Sequence, residues 1–459
     1  MAMLATWIVM VGMATSLMAQ TLTEEQLKQH ARKAQEAERR NDFATAVREY
    51  EVLATSLPRD AEVQSNLGVA LYFNHDLRRA ITVLHKAEKL NPVLFAPHLF
   101  LGLAEYHLSA PAAAIPELEE AARINPADAN AHTWLGYSYA ALSQHANAIA
   151  QFKSAQALQP ENVDLWYALG KSYLELGKAK TKGLLATAPE SARVWQLASE
   201  QFALAGDEVK ARTALAEAKH LRPQLAACPG DGSKEDSLYC EAHTAERAAQ
   251  AAFEHVLQMA PESSRAHEIM ADSYFAHEQL DHAMAEYRKV LQSDSTLPEI
   301  HSQIARCLMI RGQFDAALKE YQEEEKLQPE SAQVQTDLGR VLLAMDRNAE
   351  AIAALKKAVA AQTPPEEAYL LLGKAELRNH NERDAVQMLE HYVSTRPDDS
   401  AGYYLLGIAY RATGDRARMN DAIEQYKKTS LDAKERNLAQ AELSHRENAE
   451  TVEDGPPKS

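Results

Sequence analysis

Four prolines lay a ruler along the first third of the chain. Pro58, Pro92, Pro126 and Pro160 are each 34 residues apart, and each stops a helix, because proline lacks an N–H and its ring collides with the preceding turn. The same phase returns at Pro261, Pro329 and Pro397, with Ser295 and Thr363 standing at the two intervening stops. A fixed period of this length means that one supersecondary unit is copied along the chain. A small residue recurs in register at Ala46, Ala80, Ala114 and Ala148, then at Ala249, Ala283, Ala317, Ala351 and Ala385. Four positions on comes a large one: Tyr50, Leu84, Leu118, Phe152, Phe253, Tyr287, Tyr321, Leu355 and Leu389. Residues 129–160 give the clearest copy. One helical face runs through Leu135, Gly136 and Tyr139, a polar turn follows at 143–147, and a second face runs through Ala148, Phe152 and Ala155. Each period is therefore a pair of antiparallel helices, in which small residues allow close approach and bulky ones fill the remaining space. A single hairpin cannot bury both faces, so neighbours must stack.

Leu-Gly pairs at 67–68, 101–102, 135–136, 169–170, 338–339, 372–373 and 406–407 complete the pattern. From about Gln26 to Lys428 the chain resembles the tetratricopeptide repeat family, whose 34-residue Trp/Leu, Gly, Tyr, Ala, Phe, Ala, Pro signature these residues match. The resemblance implies an all-α, right-handed α-solenoid of stacked antiparallel helix hairpins, about 11–12 units with two degenerate. The register breaks after Trp166, Leu169, Gly170 and Tyr173, where 177–182 reads as a break and Pro189 arrives early. A Pro/Gly-rich stretch then follows Cys228. The expected organisation is an array over 20–223, an irregular insert over 224–243, and a second array over 244–430 that ends in a capping helix, since Met419 replaces the usual Ala. Residues 431–459 are polar and expected to be disordered.

Met1 to Ala19 contains no charged side chain and ends in Leu17-Met18-Ala19, which reads as a secretory segment cleaved after Ala19. An uncleaved anchor is the alternative, and would be the only membrane contact, because no later stretch is apolar enough to span a bilayer. The expected location is exported, periplasmic or extracellular, or else tethered to the inner membrane by residues 1–19. In such a compartment Cys228 and Cys240 form either a local disulfide or two free thiols, and Cys307 reads as a buried apolar side chain. A net charge of −17 argues against nucleic acid as a ligand.

Three candidates for chemistry are weak in sequence. Gly170-Lys171-Ser172 resembles the end of a phosphate loop, but Leu165 stands where the first glycine belongs and no strand precedes it. His277, Glu278 and His282 place the histidines five apart across a turn, not four apart on one helix face. His98, His132, His267 and His301 share one repeat position and read as packing at the hairpin interface. The expectation is a non-enzyme with no cofactor and no metal.

The resemblance also implies that first helices line a concave groove that binds a protein or an extended peptide. Carried over by phase, its aromatic and apolar part is Tyr72, Phe73, Phe100, Leu103, Tyr106, Trp134, Tyr137 and Tyr167. Its cationic part is Arg306, Arg340 and Lys374, with Arg378 and Arg411 nearby. These cations either pair with Glu299, Asp337 or Glu367 on neighbouring helices, or receive a carboxylate-bearing peptide. The implied role is an exported scaffold in envelope assembly, secretion or polymer export. The alternatives are a module that presents substrates to a separate enzyme and, third, an enzyme whose site has no recognised motif.

Overall fold

The computed structural model describes residues 22–204, 207–224, 228 and 233–430. The segment 1–19 and the tail 431–459 lie outside the described residues, and with them the expectations for secretion and disorder. Every described element is a helix. The regular hairpins are α1 (Glu24–Arg39) with α2 (Phe43–Ser56), α3 (Ala61–Phe73) with α4 (Leu77–Leu90), α5 (Phe95–His107) with α6 (Pro111–Ile124), and α7 (Ala129–Ala141) with α8 (His145–Leu158). Next come α9 (Val163–Thr187), α10 (Ala192–Leu204), α11 (Glu208–Leu221) and α12 (Lys234–Met259). Regular pairs then resume: α13 (Ser264–Ala276) with α14 (Leu280–Ser293), α15 (Ile300–Ile310) with α16 (Phe314–Leu327), α17 (Ala332–Ala344) with α18 (Asn348–Val359), and α19 (Glu366–Arg378) with α20 (Glu382–Thr395). Last are α21 (Ser400–Thr413) and a further helix over 416–430.

The turn inside each regular hairpin falls at the same repeat position. Asn41, His75, Ser109 and Ser143, then Glu278, Gly312, Asp346, His380 and Gly414, all have φ between 56° and 81°. This left-handed residue ends the first helix and reverses the chain. Only two of the nine are glycine, so tertiary packing holds the rest against a local penalty. Asp42 and Asp76 then cap the second helices by accepting from the N–H groups of Thr45 and Arg79.

Close approach is visible at the Leu-Gly glycines. A Cβ on Gly68 would lie 2.4 Å from Leu84, on Gly102 2.4 Å from Leu118, on Gly136 2.6 Å from Phe152 and on Gly339 2.4 Å from Leu355. The partner is always sixteen residues ahead. Gly170 obeys the same rule with a partner far away in sequence: its Cβ would lie 2.4 Å from Phe253. The helix that completes the α9 repeat is therefore α12, and everything between them is inserted within one hairpin.

This revises the expected organisation. By period Gly177 falls on the turn position, yet α9 passes straight through it and α12 packs alongside for its whole length. A small residue is needed there, since a Cβ on Gly177 would come 3.0 Å from Glu246. Residues 234–243, expected to be irregular, are the first turns of α12, opened by a Ser233 and Asp236 capping box. The α10–α11 hairpin stands at the tips of the long pair, where Leu184, Leu197 and Tyr239 bury one another. Arg193 and Asp236 lie there fully buried and paired at 2.5 Å, and Arg222 adds a bidentate grip at 2.8 and 3.0 Å. Cys228 and Cys240 are joined as a disulfide, with Cα atoms 5.7 Å apart.

The chain divides into two compact units, one of residues up to 107 with 113–126, the other of 108–112 with 127 onward. In the first, a buried cluster runs from Ala34 through Tyr50, Leu71 and Leu84 to Leu101. In the second, one continuous core extends from Ala271 on α13 to Ala375 on α19.

Candidate functional site

Neighbouring first helices lie against one another: α3 with α5 in the first unit, and α13 with α9, α15 with α17, α17 with α19 and α19 with α21 in the second. They form one row in each stack, the row expected to line the groove, and the side chains they leave exposed make the candidate binding face.

In the first unit this face is aromatic. The Phe43 and Phe73 rings stack 5.0 Å apart, and Phe100 meets Tyr72 at 5.2 Å and Phe73 at 5.5 Å, both edge-on. Phe73 is 43 % exposed, while Tyr72, Phe100 and Tyr106 are half-buried. Leu103, expected on this face, is only 8 % exposed and belongs to the core. Phe43 and His107 join the aromatic group, although the sequence phase gave no reason to include them. Phe43 opens a second helix, whereas the phase drew groove residues from first helices alone.

In the second unit, Trp134 and Tyr137 are half-buried and meet edge-on at 5.7 Å, with Tyr137 also against Phe152. Tyr167 does not line the face. It is 7 % exposed, and its hydroxyl donates to Glu268. Its ring lies under the Arg265 guanidinium at 4.7 Å and the Lys171 ammonium at 5.8 Å. Burial and the charges of Glu268 and Asp272 push its hydroxyl well above the ordinary tyrosine value. Arg265 in turn donates to Asp164 at 2.7 Å and Glu268 at 2.8 Å. These residues tie α9 to α13 and are structural.

The cations separate by what they touch. Arg340 pairs with Asp337 and Glu367, so it takes the neighbouring-helix role. Burial lowers its pKa, but the two carboxylates outweigh this and raise it. Arg378 donates to the Leu343 carbonyl at 2.9 Å and lies 3.8 Å from Asp346. Arg411 is exposed on the last turn of α21, and Lys374 is half-buried. Arg306 is exposed and has no ion-pair partner among the described residues. Its guanidinium donates to the Gln303 side-chain oxygen at 3.0 Å and lies over the Phe275 ring at 5.1 Å.

Beside Arg306 opens a recess of about 520 Å³ between α15 and α17, lined by Glu299, Ser302, Gln303, Gln328, Gln333, Asp337 and Arg340 among others. Glu299 at its edge has φ 74°, an uncommon conformation for this residue. Its carboxyl is pushed up by burial, against the opposing pull of Lys171. The buried Glu324 side chain holds the edge in place by accepting from the Glu299 N–H at 2.8 Å and the Ser302 N–H at 3.2 Å. A carboxylate at the free end of α15 also complements the helix dipole.

The sequence candidates for chemistry fall on helices and turns of the repeats. Gly170, Lys171 and Ser172 are mid-helix in α9, with Lys171 3.5 Å from Asp272. His277 and Glu278 form the turn between α13 and α14, and the His282 ring lies tilted against Tyr274 at 5.2 Å. The shared histidines have a repeated partner that sequence reading missed. His98 meets Glu117, His132 meets Gln151, His267 meets Glu286 and His301 meets Glu320, each nineteen residues on and at 2.7–2.8 Å. The signal was present as an acid or amide at a fixed offset in the second helix. Among the described residues no helix is long and apolar enough to cross a membrane.

A family model described as TPR repeat matches residues 138–177. Models described as Tetratricopeptide repeat match 67–130, 247–298 and 304–367, and a further one 342–409. No curated protein matches the chain. Among solved structures, MamA from Desulfovibrio magneticus RS-1 is 23% identical with a TM-score of 0.32, over 45% of this chain and 100% of that one. YrrB, described as a TPR protein with an unusual peptide-binding site, is 17% identical with a TM-score of 0.35, over 41% of this chain and 97% of that one. Yeast Tom70 is 15% identical with a TM-score of 0.36, over 94% of this chain and 99% of that one.

Proposed function

Because the chain belongs to the tetratricopeptide repeat family, we propose that it is a binding scaffold whose inner first-helix row holds an extended peptide segment of another protein. The observation that carries this reading is Arg306, an exposed guanidinium with no carboxylate partner among the described residues, at the mouth of a polar recess. A peptide carboxylate, terminal or side-chain, is the complement of that group, and guanidinium binds it through two parallel hydrogen bonds. Gln303, Ser302 and Gln333 offer amide and hydroxyl groups suited to an extended backbone. The proposal includes export, for which the uncharged apolar run ending in Leu17-Met18-Ala19 is the support. Export with cleavage requires native protein beginning at Gln20.

Fluorescent peptides that differ only in a free carboxylate or a carboxamide end test the recess on the full chain. Binding is expected to favour the carboxylate and to weaken at least tenfold in Arg306→Glu. Equal binding of both peptides, or undiminished binding to Arg306→Glu, refutes the reading.

A further inference from the structure

On the second helices of the first unit, away from the row of first helices, three side chains converge from two hairpins. His85 and Glu88 are one turn apart on α4, and Glu117 reaches them from α6. One ligand atom from each lies within 4.8 Å of the other two. His85 Nδ1 is already 3.0 Å from a Glu88 oxygen.

We propose that His85, Glu88 and Glu117 form a site for a divalent first-row transition ion of the zinc type, with water completing its coordination.

Four observations carry this. The donor set is mixed, one imidazole with two carboxylates, which suits zinc and its neighbours better than calcium or magnesium. The spacing is right: ligand atoms about 2.0–2.2 Å from a tetrahedral ion stand roughly 3.4 Å apart, so small rotations of partly exposed side chains close the set. The negative charge is only partly compensated: His98 faces Glu117, but Glu88, Glu117 and the adjacent Glu105 have no Lys or Arg ion pair among the described residues.

The fourth observation is the support behind Glu117. His98, 4 % exposed, faces a Glu117 oxygen at 2.7 Å through Nδ1 and the Pro92 carbonyl at 2.9 Å through Nε2. A carbonyl only accepts, so Nε2 carries a proton, and neither ring nitrogen is left to bind a metal. His98 is thus a positioning residue that fixes one Glu117 oxygen and leaves the other to the ion.

The test uses tag-free full-length protein and zinc alone as the probe, read by titration calorimetry and repeated with Co²⁺ for its visible absorption. The wild type is expected to bind one equivalent that is weakened at least tenfold in both His85→Asn and Glu88→Gln, which leave the His98–Glu117 contact in place. The Co²⁺ spectrum should lose its nitrogen-ligand signature in His85→Asn. Circular dichroism confirms that the variants fold. Because other His–Glu pairs occur in the chain, His267→Asn serves as a control and should bind as the wild type does. No saturable equivalent in the wild type, or equal affinity in wild type and His85→Asn, overturns the site.

Discussion

Asp236 shows how one residue can secure an element that local sequence does not explain. Its carboxylate accepts from the buried Arg193 at 2.5 Å, from Arg222 twice and from the Ser233 N–H at 3.3 Å. Burial alone would raise its pKa. The hydrogen bonds and charges of Arg222 and Arg193 outweigh that and hold it at about 2. A folded value below the unfolded one makes the ion pair stabilising above the ordinary aspartate range, and the stability is lost as pH falls from about 4 toward 2. The shift corresponds to about 2–3 kcal/mol. Asp236→Asn leaves Arg193 buried without its anion, an expected cost of about 3–5 kcal/mol to the inserted hairpin. Limited proteolysis of α10–α11 at pH 6 should therefore be much faster in the variant, and the difference should shrink by pH 2.5. A difference independent of pH would show that the carboxylate's charge is not the cause. Nothing local announces this cluster, since Arg193, Arg222 and Asp236 are far apart in sequence. The Ser233 capping box that opens α12 goes unread as well, since 224–243 reads as an irregular insert.

Among the elements, the α9–α12 pair separates what the repeat pattern reveals from what it hides. The period, the small and large positions and the Leu-Gly glycines were all legible, because they reflect contacts repeated between residues sixteen apart, whereas the histidine partners nineteen apart were missed. The pairing of Gly170 with Phe253 was not, since an insertion within a hairpin leaves both helices in phase but separates them by two further helices. The row of first helices in contact was legible by phase as well, though phase alone cannot tell an exposed residue from one covered by a neighbour. Leu103 and Tyr167 were covered, and the partner of Arg340 decided its role. The pairing makes a prediction with an internal control. Gly170→Ala would drive a methyl into the Phe253 ring and is expected to destabilise by about 1–3 kcal/mol. Gly183→Ala, lower on α9, finds Leu238 at an ordinary 3.5 Å, and should be neutral or stabilising by up to about 1 kcal/mol through helix propensity. Urea denaturation measures both. If the two substitutions behave alike, α9 and α12 are not packed as hairpin partners.

Across a whole stacked chain, stability is a sum of neighbour interactions, so a hairpin between two others is held more firmly than one with a single contact. In the second unit the unbroken core from α13 to α19 places α14–α18 in the first class. The α10–α11 hairpin is in the second: its helices pack on each other, and only α10 makes a substantial contact with α12. Local opening free energies should follow this order rather than converge on one global value. In native-state hydrogen exchange, amides of α14–α18 are expected to be slowest and those of α10–α11 at least tenfold faster. Asp236→Asn should accelerate α10–α11 further while leaving α14–α18 unchanged, because the cluster it breaks does not touch that core. Exchange of all helices at one common rate would mean that the stack unfolds as a single cooperative body. Acceleration of α14–α18 by Asp236→Asn would mean that the insertion is coupled through the long pair to the repeats beyond it, and that α9 and α12 transmit strain instead of absorbing it.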